Sequence, residues 1–175
     1  MVAERVRTRH PSVEWYCPQL PPSPREAMAM VAAHTAAWPR AEMAVIGSSL
    51  GGFYATWVAQ QTGCKAVLLN PAVAPARDLS RHIGQQTSWH DPAESFYFLP
   101  EYVDELRVLD AQARVSEPVP ERLFAIVAKG DEVLDWREMV GRYPGARIKL
   151  LEAGDHALSD FEDHLDEVID FLHLV

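Results

Sequence analysis

The sequence predicts an α/β protein, a mainly parallel sheet with helices on both faces. Short runs at Met43–Ile46, Lys65–Leu69, Arg122–Ala128 and Ala146–Leu151 alternate with longer helical patterns. The buried ones are continuous apolar runs, as befits strands covered on both sides. Each is followed within three residues by glycine or asparagine (Gly47, Asn70, Gly130 and Gly154), where a strand hands over to a loop.

Taken in order, Met1–His10 (with VAERVRTR) reads as the last turns of a helix, and Val13–Cys17 as a short strand closed by Pro18. Prolines 18, 21, 22 and 24 make a stiff loop, with Ser23 as N-cap and Pro24 at the first helical position. A helix from Arg25 to Trp38 is stopped by Pro39. The Met43–Ile46 strand follows, then a helix from Leu50 to about Gln61 ended by Gly63, and the Lys65–Leu69 strand ended by Asn70-Pro71. Residues 71–100 break the rhythm: they carry prolines 71, 75, 92 and 100, the aromatics Trp89, Phe96, Tyr97 and Phe98, and little periodicity. Long irregular inserts of this kind are binding loops or lids. The aromatics suit either a lid over an acyl pocket or a local core pinning the loop. Helix returns from Glu101 to Val115, a strand at Arg122–Ala128, a helix at Trp136–Arg142, a turn at Tyr143-Pro144-Gly145, a strand at Ala146–Leu151 and a closing helix at Asp160–Leu172.

Composition bounds the function. A chain of 175 residues, 48% of them apolar, with no repeat, low-complexity tract or linker, reads as one domain spanning 1–175. A formal charge of −9, spread along the chain, disfavours nucleic acid and anionic lipid as partners. No apolar run approaches the ~20 residues of a membrane-spanning helix. Two cysteines, Cys17 and Cys64, form no framework, so a cytoplasmic location is the expectation. The seven histidines include no H-x-H or H-E-x-x-H, and no C-x-x-C occurs, which disfavours a metal site. Gly51-Gly52 lacks the spacing of a phosphate loop.

The chemistry concentrates in EMAVIGSSLGGFYATWVA, residues 42–59. Here G-x-S-x-G lies between a strand and a helix, the setting of a nucleophile elbow. The expectation is that Gly47 and Gly51 are small because Ser49 sits in a strained backbone and a Cβ on either side would collide. The Leu50 N–H, at the positive end of the following helix, is placed to meet an oxyanion. Two other strand ends bear catalytic residue types: Asp131 after RLFAIVAKG and His156 after IKLLEAGD. The order Ser…Asp…His is that of α/β-hydrolases. Asp135 is the rival acid but better suited to cap the helix at 136; Asp131 could itself be a capping carboxylate, and Glu132 should point away. His10, His34, His164 and His173 are read as solvated helix-surface residues, and His82 and His90 as loop residues in the insert.

GSSLGGFYA, LLNPAV, AKGDEVLD, GDHAL and the CPQLP loop at 17–21 resemble the YqiA/YcfP-type esterases, a small branch of the α/β-hydrolases, through nearly the whole chain. The resemblance implies a serine carboxylester or thioester hydrolase with Ser49, Asp131 and His156 as triad, an acyl-enzyme, a small acyl-ester or acyl-thioester substrate and no cofactor. One departure stands out. The family opens with a strand running into a His-Gly loop that donates the second oxyanion N–H, and no His-Gly pair occurs here. The expected fold is therefore an N-terminally truncated α/β-hydrolase in which Val13–Cys17 and Met43–Ile46 face an empty slot, unless they shift together or another chain fills it. Two other functions fit the same residues: a non-catalytic α/β-hydrolase-fold binding or interaction protein, and a triad applied to carbon–carbon bond hydrolysis or peracid formation.

Overall fold

The computed structural model describes residues 1–87, 95–114 and 119–174. In chain order its elements are α1 (Val2–Arg9), α2 (Pro24–His34), β1 (Ala44–Ser48), α3 (Leu50–Thr62), β2 (Lys65–Leu69), α4 (Pro75–Leu79), β3 (Gly84–Thr87), β4 (Ser95–Phe98), α5 (Pro100–Ala113), β5 (Leu123–Ala128), α6 (Trp136–Arg142), β6 (Arg147–Leu151) and α7 (Leu165–Leu172). They form two compact units.

The first unit comprises Met1–Pro18, Trp38–Val73 and the described residues from 119 on. Its four-stranded sheet has the order β1-β2-β5-β6, with every neighbouring pair parallel. Alternation sorts the strands' residues by face. Ala44 and Ile46, Val67 and Leu69, and Phe124, Ile126 and Ala128 share one cluster with Leu158, Val168 and Leu172, so α7 covers that face. α3 packs on β1 and β2, and its Thr56 hydroxyl lies 2.9 Å from that of Tyr143, which follows α6. β5, at the centre, is buried along its whole length. That burial explains its unbroken LFAIVA run.

α1 packs within this unit. Val6 is buried against Leu165 and Ile169 of α7, and Arg5 and Arg9 pair with Asp166. Val13–Cys17 is not a strand, contrary to the expectation: Val13 packs beside Val6 and the chain continues without joining the sheet. β1 pairs with β2 alone among the described residues. A β-prone pentapeptide with no adjacent ladder to join gains nothing from its propensity. The edge position also leaves Ala44, Val45 and Ile46 only partly buried.

The second unit comprises Gln19–Ala37 and the described residues from Ala74 to 114. Ser23 caps α2, accepting the Glu26 N–H at 3.2 Å, with Pro24 in the first turn as expected. The cap is itself held, because Glu105 of α5 accepts from the Ser23 hydroxyl at 2.7 Å and the Arg25 N–H at 3.1 Å. Part of the segment expected to be irregular is ordered: α4 is followed by an antiparallel hairpin of β3 and β4. Only Phe98 of β4 is buried, and β3 is the polar GQQT, so the hairpin carries no apolar alternation by which to be read. Trp89 and His90 lie outside the described residues.

Candidate active site

The site forms at the carboxyl ends of β1, β5 and β6 and is built first from backbone. β1 runs straight into Ser49, whose φ of 54° and ψ of −121° lie where side-chain-bearing residues rarely sit. The backbone is tied down on both sides: Ser49 donates its N–H to the Leu69 carbonyl at 2.9 Å and accepts the Ala72 N–H at 2.9 Å. A Cβ at Gly47 would lie 1.9 Å from the Gly51 carbonyl oxygen, so Gly47 is obligatory. The steric argument fails at Gly51, where a Cβ would meet nothing within 4 Å. The second tight glycine is Gly52, whose Cβ would come within 2.7 Å of Pro71. What Gly51 contributes is a close-lying carbonyl, not a missing side chain. The α3 helix opens at Leu50, so the Leu50 N–H belongs to the first turn, which has no carbonyl of its own helix to bond.

Asp131 and His156 come from the turns after β5 and β6. These turns touch: Lys129 donates its N–H to the Leu151 carbonyl at 3.0 Å, and a Cβ on Gly130 would fall 2.1 Å from the Gly154 carbonyl oxygen. The Asp131 side chain is wholly shielded from solvent. Its Oδ1 accepts the Val133 and Leu134 N–H groups, both at 2.8 Å, leaving Oδ2 for His156 Nδ1 at 2.8 Å. A carboxylate can only accept, so Nδ1 carries the proton and Nε2 presents its lone pair. Nε2 lies 2.9 Å from Ser49 Oγ. The three predicted residues thus form one continuous hydrogen-bonded chain of carboxylate, imidazole and hydroxyl.

Neighbouring expectations sort differently. Asp135 caps α6, accepting from Arg137 N–H at 2.9 Å. Glu132 does not point away; its carboxylate accepts the His156 backbone N–H at 3.0 Å. Its side chain is long enough to reach across to the β6 turn, which sequence adjacency to Asp131 does not reveal. Asp155 holds the other side of that turn, accepting from the Ser159 hydroxyl at 2.6 Å and the Ser159 N–H at 2.9 Å. Those bonds keep its carboxyl below the usual carboxylate range. His34, His82 and His173 are exposed and His10 half-buried. His164 is not solvated as expected: it is buried where a 3₁₀ turn (Phe161–His164) meets α7, with Asp160 3.6 Å from Nε2. Among the described residues no three His, Cys, Asp or Glu side chains converge on a point that could hold a metal ion. No helix among them is long and apolar enough to cross a membrane.

Asn70 was missed as a site residue. The sequence marks it only as a strand end, yet it is fully buried and its amide reaches the His156 turn. A positive φ of 40° at a non-glycine residue is the kind of local signal that sequence does not expose.

The model of an uncharacterised protein family, UPF0227, matches residues 1–173. Among solved structures, a protein of Agrobacterium vitis S4 superposes with a TM-score of 0.62 at 17% identity, over 85% of this chain and 68% of the other. A structure from the metagenome-derived lipolytic enzymes LipS and LipT gives 0.59 at 18% identity, over 85% and 72%. The monoacylglycerol lipase of Paleococcus ferrophilus gives 0.56 at 15% identity, over 85% and 74%. Likenesses at these identities speak to the fold, which is that of the α/β-hydrolases.

Proposed function

The chain belongs to the UPF0227 family, and from that premise we propose that it is a serine hydrolase of carboxylesters or acyl thioesters, working through an acyl-enzyme. The observation that carries the proposal is the unbroken chain Asp131–His156–Ser49, with 2.8 Å and 2.9 Å links. Lipolytic activity among proteins of similar fold supports the acyl-ester class.

In this reading Ser49 Oγ attacks the acyl carbonyl while its proton passes to His156 Nε2. Asp131 holds the tautomer and stabilises the imidazolium that forms. The oxyanion of the tetrahedral intermediate faces the Leu50 N–H and the positive end of α3. The imidazolium returns its proton to the departing alkoxide or thiolate, leaving an acyl ester on Ser49. Water then gives a proton to Nε2, attacks that ester, and the acid departs as Ser49 is reprotonated.

Ser49→Ala tests the proposal. The native protein is expected to turn over p-nitrophenyl butyrate and to be labelled by a fluorophosphonate probe, and the variant to do neither. Turnover surviving in the variant defeats the mechanism; a folded native protein that neither reacts nor labels defeats the esterase reading and leaves a binding scaffold of the same fold.

A further inference from the structure

The reaction scheme leaves the best-connected polar side chain near the site unused. Asn70 stands just beyond β2, fully buried. Its Oδ1 accepts the Ala128 N–H at 2.8 Å, and its Nδ2 donates to the carbonyls of Asp155 at 3.0 Å and His156 at 3.1 Å. The amide orientation follows from these partners, since only the oxygen can take an N–H and only the NH₂ can face two carbonyls. Its backbone N–H donates to Ile126 at 3.0 Å. The residues flanking it complete a hub. Leu69 accepts from Ser49 N–H, Ala72 donates to the Ser49 carbonyl, and Pro71 presses on Gly52. Four consecutive residues therefore touch the nucleophile's backbone, the strand that launches the acid, and the residue that carries the base.

We propose that Asn70 is the positioning residue of this site: one side chain sets the spacing between the end of β5 and the backbone of His156, and so keeps Nε2 on Ser49 Oγ. Asn suits the place on two counts. It tolerates the left-handed φ, and its amide supplies one acceptor and two donors on a short stem. Asp has the same shape but turns an oxygen toward two carbonyls, so the His156 turn is repelled where it was held. The predicted loss of turnover rests on the esterase reading; the predicted change at the His156 imidazole does not.

Asn70→Asp is the decisive variant, assayed well below its melting temperature. A misplacement near 1 Å at a reacting group costs about a hundredfold. The expected result is a fall of that order in kcat on p-nitrophenyl butyrate with KM within a few-fold. The downfield proton resonance of His156 Nδ1–H should be broadened or lost. Burial raises the new carboxyl's pKa, and its neutral form regains one donor. The ratio of variant to native activity should therefore climb as pH falls toward 6. In a His156→Ala background, Asn70→Asp should cost nothing further, because positioning an absent imidazole is worthless. Asn70→Gly, which accepts the same φ, should reproduce the kcat loss and the altered resonance should Asp fail to fold. Native kcat and an intact resonance in either folded variant overturn the proposal. So does a loss that persists undiminished without His156, or failure of both variants to fold, which makes Asn70 a folding residue only. Should the native protein prove inactive and unlabelled, the esterase reading falls alone and the His156 resonance decides the role of Asn70.

Discussion

In the proposed mechanism, the nucleophile and its two partners are built in opposite ways. Ser49 is set by a hexapeptide: strand, Gly47, the strained φ, and the first turn of α3 follow one another without interruption. Asp131 and His156 are set by contacts between turns distant in sequence, through the Gly130–Gly154 approach, the Glu132 carboxylate on the His156 N–H, and Asn70 beneath both. The first construction is local and stiff. The second depends on the sheet having assembled in register. A change in the elbow should therefore strike packing and chemistry together, whereas changes around the acid and base should separate them.

The largest separation is expected at the acid. Asp131→Asn keeps the shape and the bonds from Val133 and Leu134 but offers Nδ1 the wrong partner, so the favoured tautomer turns the Nε2 hydrogen toward Ser49. Loss of tautomer control costs about 10⁴ in kcat in a Ser-His-Asp site. Melting temperature should hardly change, and Asp135→Asn, which retains a capping side chain, should leave kcat near native. Steady-state kinetics and thermal melts on both variants check the contrast; equal losses would mean that the acid has been misassigned.

The elbow supplies the next effect, and at Gly47 stability and activity should fall together. Gly47→Ala drives a Cβ against the Gly51 carbonyl, and overpacking of this sort costs about 1–3 kcal/mol or more. Gly51→Ala faces open space and lies inside α3, where Ala is favoured over Gly by up to about 1 kcal/mol. Urea unfolding midpoints should drop for the first and hold or rise for the second. A destabilised Gly51→Ala would show that this position, too, needs its glycine for conformation.

How much was legible beforehand follows the same divide. G-x-S-x-G could be read because strand, turn and helix are contiguous, and the parallel sheet could be read because buried strands such as LFAIVA stay apolar throughout. The order of Asp131 and His156 was legible as residue types at strand ends. What brings them together was not. Gly130, Glu132 and Asn70 act across gaps that no periodicity spans, and Gly51 shows that a motif's glycine need not be small for the reason the motif suggests. Val13–Cys17 failed for a related cause, since propensity cannot supply a neighbouring strand.

The smallest expected effect tests whether the strand carrying the base can be loosened without touching the chemistry. On α7, Glu167 accepts from Lys149 at 2.6 Å and from Arg147 at 2.5 Å, both on β6. The Lys149 bond, more than the added charge of Arg147, holds its carboxyl below the ordinary 4.5. A carboxyl depressed in the folded state adds stability that is whole above its unfolded pKa and vanishes as pH drops through the folded one. Glu167 is a third exposed, so the gain is at most about 1 kcal/mol. Glu167→Gln should thus lower the urea midpoint slightly at pH 7, and the gap to the native protein should close as pH falls below 4.5 and the native carboxyl is itself neutralised. Its kcat at pH 7 should equal the native value, because the contacts that hold the His156 turn, from Asn70, Glu132 and the Gly130 approach, do not involve Glu167. A kcat loss in Glu167→Gln would mean that the base is tuned from the outer face of β6 as well as from Asn70.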